Sequence, residues 1–90
     1  MRYSYDRTKK ASNLEKHGLD FDDARHVIES EQTVTFEDKR FDYDEPRFIT
    51  MGMLKGSVVI IVTTESDTNI RIISMRKAEK NEQKIYFENL

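Results

Sequence analysis

The sequence contains no cysteine, one proline and three glycines among its 90 residues. Without cysteine, no disulfide can stabilise the fold, and thiolate catalysis and cysteine-type zinc sites are excluded. The two histidines are too few for a histidine-rich metal site. The sequence also lacks a glycine-rich phosphate loop, an HExxH motif and a GxSxG motif. No generic motif therefore identifies an enzyme class by itself.

Long apolar runs are absent too. The longest is far short of a membrane span, and residues 1–20 have no signal-peptide core, so we expect a cytoplasmic protein. The length predicts a single domain, residues 1–90, with a small core. The net charge of −2 is distributed unevenly, with +3 in residues 1–17, −6 in residues 18–47 and +1 in residues 48–90. Any contact with a nucleic-acid backbone must therefore be local and built from a few arginines.

The most apolar stretch is Ser57–Glu65, followed by a short polar loop and a second β-branched run, Ile70–Met75. Two such runs joined by turn residues predict an antiparallel hairpin. The segment Val58–Val62 shows no apolar/polar alternation. We therefore expect it to be buried on both faces, in the centre of a sheet.

The remaining pattern predicts helices before and after a meander. Asp6 and Asp20 are typical N-caps, and Gly18 is typical of a helix end. In the first helix, Ala11 and Leu14 form a narrow apolar stripe. The predicted elements are a short edge strand at Arg2–Tyr5, helices Arg7–His17 and Phe21–Glu29, strands Thr33–Glu37 and Phe48–Leu54, and a C-terminal helix Lys77–Asn89.

This order predicts an α+β fold, with an antiparallel four-stranded meander, a short N-terminal strand, two N-terminal helices and one C-terminal helix. An acidic loop, Asp38–Glu45, joins two of the strands and holds Phe41 and Tyr43. The single proline, Pro46, marks the end of this loop.

Arginines are the most informative candidates for chemistry. Arg71 lies inside an apolar strand, and Arg47 and Arg76 lie at strand ends. Because an unpaired arginine is costly to bury, Arg71 either pairs with an acid such as Glu65 or faces an anion-binding groove. Converging guanidinium groups suit a transferring phosphate. The alternative is three separate salt bridges, with Glu45, Glu65 and Glu79 as possible partners, and spacing alone does not decide between them.

The acidic side chains Asp42, Asp44 and Glu45 raise the question of a metal site, because hard cations favour clustered oxygen ligands. Their spacing matches no standard metal-binding loop, and the pivot glycine is missing. A solvated acidic loop is the simpler interpretation. The sequence therefore predicts neither a metal nor another cofactor.

Four segments together resemble the BrnT toxins, the toxin half of BrnT/BrnA type II toxin–antitoxin modules. They are Asn13–Leu19, which is followed by Phe21 and Ala24, then Glu45–Phe48, Thr64–Glu65 and Ile70–Ala78. The resemblance extends from about Tyr5 to Tyr86, in order and with matching length. The sequence departs from the family pattern at Tyr5, where tryptophan is common, and at Pro46, where an acidic or polar residue is common.

The resemblance implies a RelE-like ribonuclease fold and RNA cleavage that arrests translation in a bacterial cytoplasm. It also implies neutralisation by a BrnA-like antitoxin with a ribbon-helix-helix DNA-binding domain, so that DNA is contacted only through the antitoxin. Cleavage without metal needs a base for the 2′-OH, fixed cations for the phosphorane and an acid for the leaving oxygen. On this basis Arg71 and Arg76 are expected to bind the scissile phosphate, and Arg47 to hold a neighbouring phosphate or to be the electrophile. Glu45 and His17 are the expected base and acid.

A non-catalytic interpretation competes with this one. The same arginines could be structural, and the domain could act only by binding a partner helix in a groove. Direct DNA binding is a third interpretation, which the acidic middle third of the chain disfavours.

Overall fold

A computed structural model describes residues 1–40, 42 and 44–90 of the chain. The first part contains strand β1 (Arg2–Tyr5), helix α1 (Arg7–His17), a 3-10 turn (Phe21–Asp23) and helix α2 (Ala24–Ile28). Four strands follow, β2 (Val34–Asp38), β3 (Arg47–Leu54), β4 (Ser57–Glu65) and β5 (Asn69–Lys77), and then helix α3 (Lys80–Asn89). Phe41 and Tyr43, predicted to lie in the acidic loop, are outside the described residues.

One five-stranded mixed sheet contains all these strands, in the order β1-β5-β4-β3-β2. Strands β2 to β5 form the predicted antiparallel meander, and β1 extends it by pairing parallel to β5. The prediction of an α+β fold is confirmed. The description of the sheet as a four-stranded antiparallel meander with a separate short strand was incomplete, because β1 makes it five-stranded and mixed.

The central hairpin is formed by β4 and β5, whose bounds agree closely with the predicted strands. Val58, Val59, Ile60 and Ile61 are buried as expected, whereas Val62 is half-buried. Val62 points to the same face as Ile60 but lies two residues further along β4, outside the cluster that contains Tyr86 of α3. Strand β3 turns into β4 through Lys55 and Gly56, both at positive φ, which is the backbone of a tight two-residue hairpin.

Two apolar clusters lie on opposite faces of the sheet. On the first face, Phe21, Ala24 and Val27 pack against the sheet cluster formed by Val59, Ile61, Ile70, Ile72 and Met75. On the second face, Tyr86 of α3 packs with Val34, Met51, Val58 and Ile60. The Tyr86 hydroxyl also donates to the Gln32 carbonyl oxygen at 2.7 Å, which satisfies its polar end. Helix α3 therefore covers one end of the second face.

Helix α1 begins and ends where the sequence predicts. The Asp6 side chain accepts hydrogen bonds from the backbone N–H groups of Thr8 and Lys9, and Gly18 adopts φ 68° at the C-terminal end. However, Ala11 and Leu14 are exposed, and the buried residue of α1 is Asn13. Its Oδ1 accepts from the Met75 N–H at 3.1 Å, and its Nδ2 donates to the Leu19 carbonyl oxygen at 3.2 Å. The contact between α1 and β5 is thus made by a polar side chain rather than by the predicted apolar stripe.

The other two predicted helices need correction. The segment predicted as helix Phe21–Glu29 is a 3-10 turn followed by a helix of five residues. The C-terminal helix begins at Lys80 and not at Lys77, because β5 continues to Lys77, which pairs with Val59. Glu79, not Ser74, caps this helix, in a capping box with Glu82.

Candidate active site

A row of directly opposed residues crosses the whole sheet on the second face, beyond the part that α3 covers. Backbone pairing places them side by side on the five strands, in the order Asp38, Arg47, Thr64, Arg71 and Ser4. Opposed residues of paired strands point to the same face, and neighbouring strands lie about 5 Å apart. Arg47 and Arg71 are therefore brought together from separate strands, one on either side of Thr64.

A β-bulge in β5 determines which way Arg71 points. Thr63 pairs with Ile72 and Val62 pairs with Ser74, so Ile73 is the extra residue of the bulge. Arg71 lies next to Ile70 and Ile72, which are both buried on the first face, so its side chain points to the second. In a regular strand, residues 71 and 75 would point to the same face. The extra residue of the bulge lies between them, so Met75 points to the first face and Arg71 to the second. Bulges commonly redirect side chains next to active sites in this way.

Arg71 faces open space and not the acid considered as its partner. Its side chain is exposed, and among the described residues it takes part in no ion pair or hydrogen bond. Glu65 is opposed to Ile70 and therefore lies on the other face, where its charge contributes to raising the pKa of Tyr3, after burial and the effect of Glu29. The Arg71–Glu65 salt bridge is not present in the described structure, and Arg71 lines a groove instead.

Two adjoining clefts meet at Arg71. One, of about 490 Å³, lies toward β1, and the other, of about 480 Å³, lies toward β3. Glu45, Thr64 and Arg71 line both. The cleft toward β3 is also lined by four further charged residues, namely Lys9, Asp42, Asp44 and Arg47.

The charges in this second cleft are arranged by sign. Its cations come from the sheet and from the first turn of α1, whereas its carboxylates all come from the connection between β2 and β3. Fixed guanidinium groups on a rigid sheet, opposite a carboxylate, are the groups that metal-free phosphoryl transfer needs. Of the predicted site residues, the structure brings together Arg47, Arg71 and Glu45.

Arg76 has a different environment, although it points to the same face. It is opposed to Ile60, four residues along β4 from Thr64 and therefore roughly 13 Å from the arginine row. Its Nη1 and Nη2 each lie 2.7 Å from one carboxylate oxygen of Glu82 in α3. This bidentate pair raises the pKa of Arg76 and lowers that of Glu82, chiefly through the hydrogen bonds between them. Arg76 thus joins β5 to α3.

His17 lies away from the clefts as well. It is the last residue of α1, eight residues and about 12 Å along the helix from Lys9. It lines neither of the two clefts, and the next residue, Gly18, lines a separate small cavity with Leu54 and Lys77.

Lys9 and Thr64, which line the cleft toward β3, are among the cleft residues that were not candidates from sequence. Lys9 occupies the first turn of a helix rich in lysine, so nothing in its local pattern distinguishes it from a surface residue. Thr64 ends an apolar run and resembles an ordinary strand residue. The pairing of Thr64 with both arginines depends on strand register, which a sequence pattern alone does not specify for three strands at once.

Within residues 1–40, 42 and 44–90, no group of three or more histidine, aspartate or glutamate side chains is arranged to hold a metal ion. Over the same residues, none of the helices has the length and apolar character needed to cross a bilayer.

Comparison with known families gives a match over most of the chain. The model of a family described as "Ribonuclease toxin, BrnT, of type II toxin-antitoxin system" matches residues 5–82. This range includes the arginine row from Arg47 to Arg71, both clefts apart from Ser4, and the Arg76–Glu82 pair. Comparison with curated proteins gives no match.

Proposed function

The chain belongs to the BrnT family of ribonuclease toxins of type II toxin–antitoxin systems, and from this premise we propose that it is a metal-independent endoribonuclease whose site is the cleft lined by Arg47, Arg71 and Glu45. The family implies endoribonuclease activity and an antitoxin partner. The observation that supports this location best is the placement of Arg47 and Arg71 on either side of Thr64 in one cross-strand row, with Glu45 lining the same cleft.

The proposed reaction begins with the RNA backbone lying across this row. Glu45 takes the proton of a 2′-OH, and the 2′-oxygen attacks the adjacent phosphorus. Arg47 and Arg71 stabilise the added negative charge on the phosphorane, for which the planar, bidentate guanidinium group is well suited. The bond to the 5′-oxygen then breaks. The products are a 2′,3′-cyclic phosphate and a 5′-hydroxyl end, and DNA is not a substrate because it lacks the attacking group.

The leaving 5′-oxygen needs a proton. Among the described residues that line the cleft toward β3, Lys9 is the cation that can release one, because arginine stays protonated. We assign it this role in place of His17, whose position at the other end of α1 gives it no step in the proposed reaction. Arg76, which is paired with Glu82, acts in the proposal by holding α3 on the sheet.

The proposal also covers the partner and the fold. We propose that residues 1–90 form one RelE-like toxin domain acting on RNA in the cytoplasm, and that a BrnA-like antitoxin with a ribbon-helix-helix domain neutralises it. Occlusion of the arginine row would be sufficient for neutralisation, because the proposed substrate phosphate binds there. Co-expression with the protein encoded beside this chain should give a complex that has no nuclease activity.

The test is cleavage of RNA by the purified protein. We expect cleavage in excess EDTA, cyclic-phosphate products, and no cleavage of the same sequence as DNA. Arg71→Ala should cut about a hundredfold more slowly or worse, as when one charge-stabilising donor is removed from an active site, while its melting temperature stays close to that of the parent. Lys80→Ala, a matched change of an exposed cation at the start of α3, should cleave normally. Equal rates for Arg71→Ala and the parent would refute the proposed site.

A further inference from the structure

The hydroxyl of Thr64 is buried without a hydrogen-bond partner in the described structure. Its Oγ1 is the one buried side-chain N or O atom among the described residues for which no partner is found. Most buried polar atoms in proteins are hydrogen-bonded, and each exception calls for an explanation. The Oγ1 itself is covered, but the residue as a whole is half-buried and lines both clefts, so a ligand there reaches the hydroxyl once the side chain turns about χ1.

The neighbours of Thr64 in the row limit which groups can accept the proton of this hydroxyl. Thr64 is directly opposed to Arg47 on one side and to Arg71 on the other. A guanidinium group has five donors and no acceptor. Neither neighbouring side chain can therefore accept the proton of the Thr64 hydroxyl, and an acceptor has to come from another group, such as a bound ligand.

The same geometry restricts the kind of ligand. A group bound over Thr64 lies between the positions of two guanidinium side chains and next to the Thr64 hydroxyl. It must therefore be an anion that presents several acceptor oxygens at once, and a phosphodiester, with its two non-bridging oxygens, has this character. A cation or a neutral donor would be repelled or left unpaired in the same place.

We propose that the Thr64 hydroxyl donates a hydrogen bond to a non-bridging phosphate oxygen of the RNA, forming with Arg47 and Arg71 a single three-donor phosphate site. This inference rests on the proposed function and adds a residue to the same site. It assigns to Thr64 a contact with the substrate, and it gives the unpaired hydroxyl its partner in the bound state. Because the hydroxyl has no partner in the free protein, the hydrogen bond that it forms in the complex adds to the affinity for phosphate.

The test compares three variants with the parent. Thr64→Val is nearly isosteric and lacks only the hydroxyl, Thr64→Ser keeps the hydroxyl, and Thr35→Val is a matched change on the opposite face, where Thr35 Oγ1 lies 3.1 Å from Thr50 Oγ1. Each is assayed for RNA cleavage, for binding of a short 2′-fluoro oligoribonucleotide, which has phosphates but no attacking 2′-OH, and for melting temperature.

A hydrogen bond to a charged group corresponds to roughly a tenfold to hundredfold effect. Thr64→Val should lose this much in cleavage rate and in affinity for the 2′-fluoro oligonucleotide, while its melting temperature stays the same or rises, because an unpaired polar group has been removed. Thr64→Ser should stay within about threefold of the parent in both assays. Thr35→Val should cleave and bind like the parent.

Several outcomes would overturn the inference. Parental cleavage and binding by Thr64→Val would show that the hydroxyl makes no contact with the phosphate. An equal loss in Thr64→Ser would assign the effect to packing of the methyl group. If Thr64→Val fails to fold, Thr64→Ser and Thr64→Ala, which differ by the hydroxyl alone, decide the question. If the parent binds the oligonucleotide through Thr64 but does not cut RNA, the proposed nuclease function fails and the phosphate site stands.

Discussion

Breaking the Arg76–Glu82 pair should destabilise the protein without removing its activity, in contrast to substitutions in the arginine row. Arg76→Ala removes two charge-assisted hydrogen bonds of 2.7 Å each. The carboxylate left behind is 19% exposed and keeps one hydrogen bond, from the Glu79 N–H at 2.9 Å. The Glu82 carboxylate is therefore neither fully exposed nor buried without a hydrogen-bond partner.

The magnitude follows from this intermediate position. Exposed pairs contribute about 0–1 kcal/mol, and removing one partner of a fully buried pair costs about 3–5 kcal/mol. Since the Arg76 side chain is 40% exposed, solvent screening reduces the effect, and we expect a loss of about 1–2 kcal/mol. For a domain of this size, that lowers the melting temperature by roughly 5–15 °C.

The measurement is a double-mutant cycle with Arg76→Ala, Glu82→Ala and the double variant, followed by thermal and urea unfolding. The pair should give a coupling free energy of about 1 kcal/mol, above the error expected for independent sites. Because the folded-state pKa of Glu82 is lowered, its contribution to stability is complete above the ordinary pKa of 4.5 and is lost as the pH falls through the folded value. The difference between parent and Arg76→Ala should therefore shrink in acid.

Cleavage assays on the same variants separate structure from chemistry. Well below its melting temperature, Arg76→Ala should cut RNA at a rate within a few-fold of the parent. A loss of about a hundredfold in a folded Arg76→Ala protein would refute this reasoning, since that is the effect of removing a donor from the transition state. A melting temperature unchanged by the substitution would refute the structural role.

Three further predictions concern packing. Ile60→Ala should cost roughly 2–5 kcal/mol in urea unfolding, because the side chain is buried in the cluster with Met51 and Tyr86; a loss below about 0.5 kcal/mol would mean that the site has collapsed around the change or is not core. Gly52→Ala should destabilise the protein by about 1–3 kcal/mol, because its new Cβ would lie 2.6 Å from Val27 Cγ1 and force α2 away from β3. Adding Val27→Ala to the same chain should restore part of this loss. Asn13→Ala should cost about 1–3 kcal/mol by leaving the Met75 N–H without its partner, and unchanged hydrogen exchange at that amide would contradict the prediction.

The elements of the fold that the sequence predicted best are those with strong local signals. Ser57–Glu65 is a β-branched run with turn residues on both sides, and its observed bounds are the predicted ones. Helix α1 was equally well predicted, since both of its ends carry capping residues. Where local signals compete, tertiary contacts decide. Ser74 is a plausible cap in sequence, but pairing of β5 with β4 continues to Lys77 and delays the C-terminal helix by three residues.

The candidate site was predictable in its residue types and not in its geometry. Arginines within an apolar strand and at strand ends were a usable signal for Arg71 and Arg47, and the resemblance to a ribonuclease family added the expected role of Glu45. Strand register was the missing information. It places Arg47 and Arg71 on either side of Thr64 and moves Arg76 four residues away along β4. The bulge at Ile73 was equally hidden, because the run from Ile70 to Met75 looks like a regular strand.

The different environments of Arg71 and Arg76 follow from the position of α3 on one face of the sheet. Both side chains point to that face, but α3 covers the end that holds Ile60 and Arg76, and its Glu82 provides a carboxylate there. At the other end Arg71 is exposed, and within the described residues no helix covers it and no acid pairs with it. An unpaired guanidinium group keeps its full capacity to bind an anion, whereas a group already held by two 2.7 Å bonds has to break them first. The phosphate site is therefore expected at the uncovered end of the sheet, and the covered end provides the rigid support that keeps the strands in register.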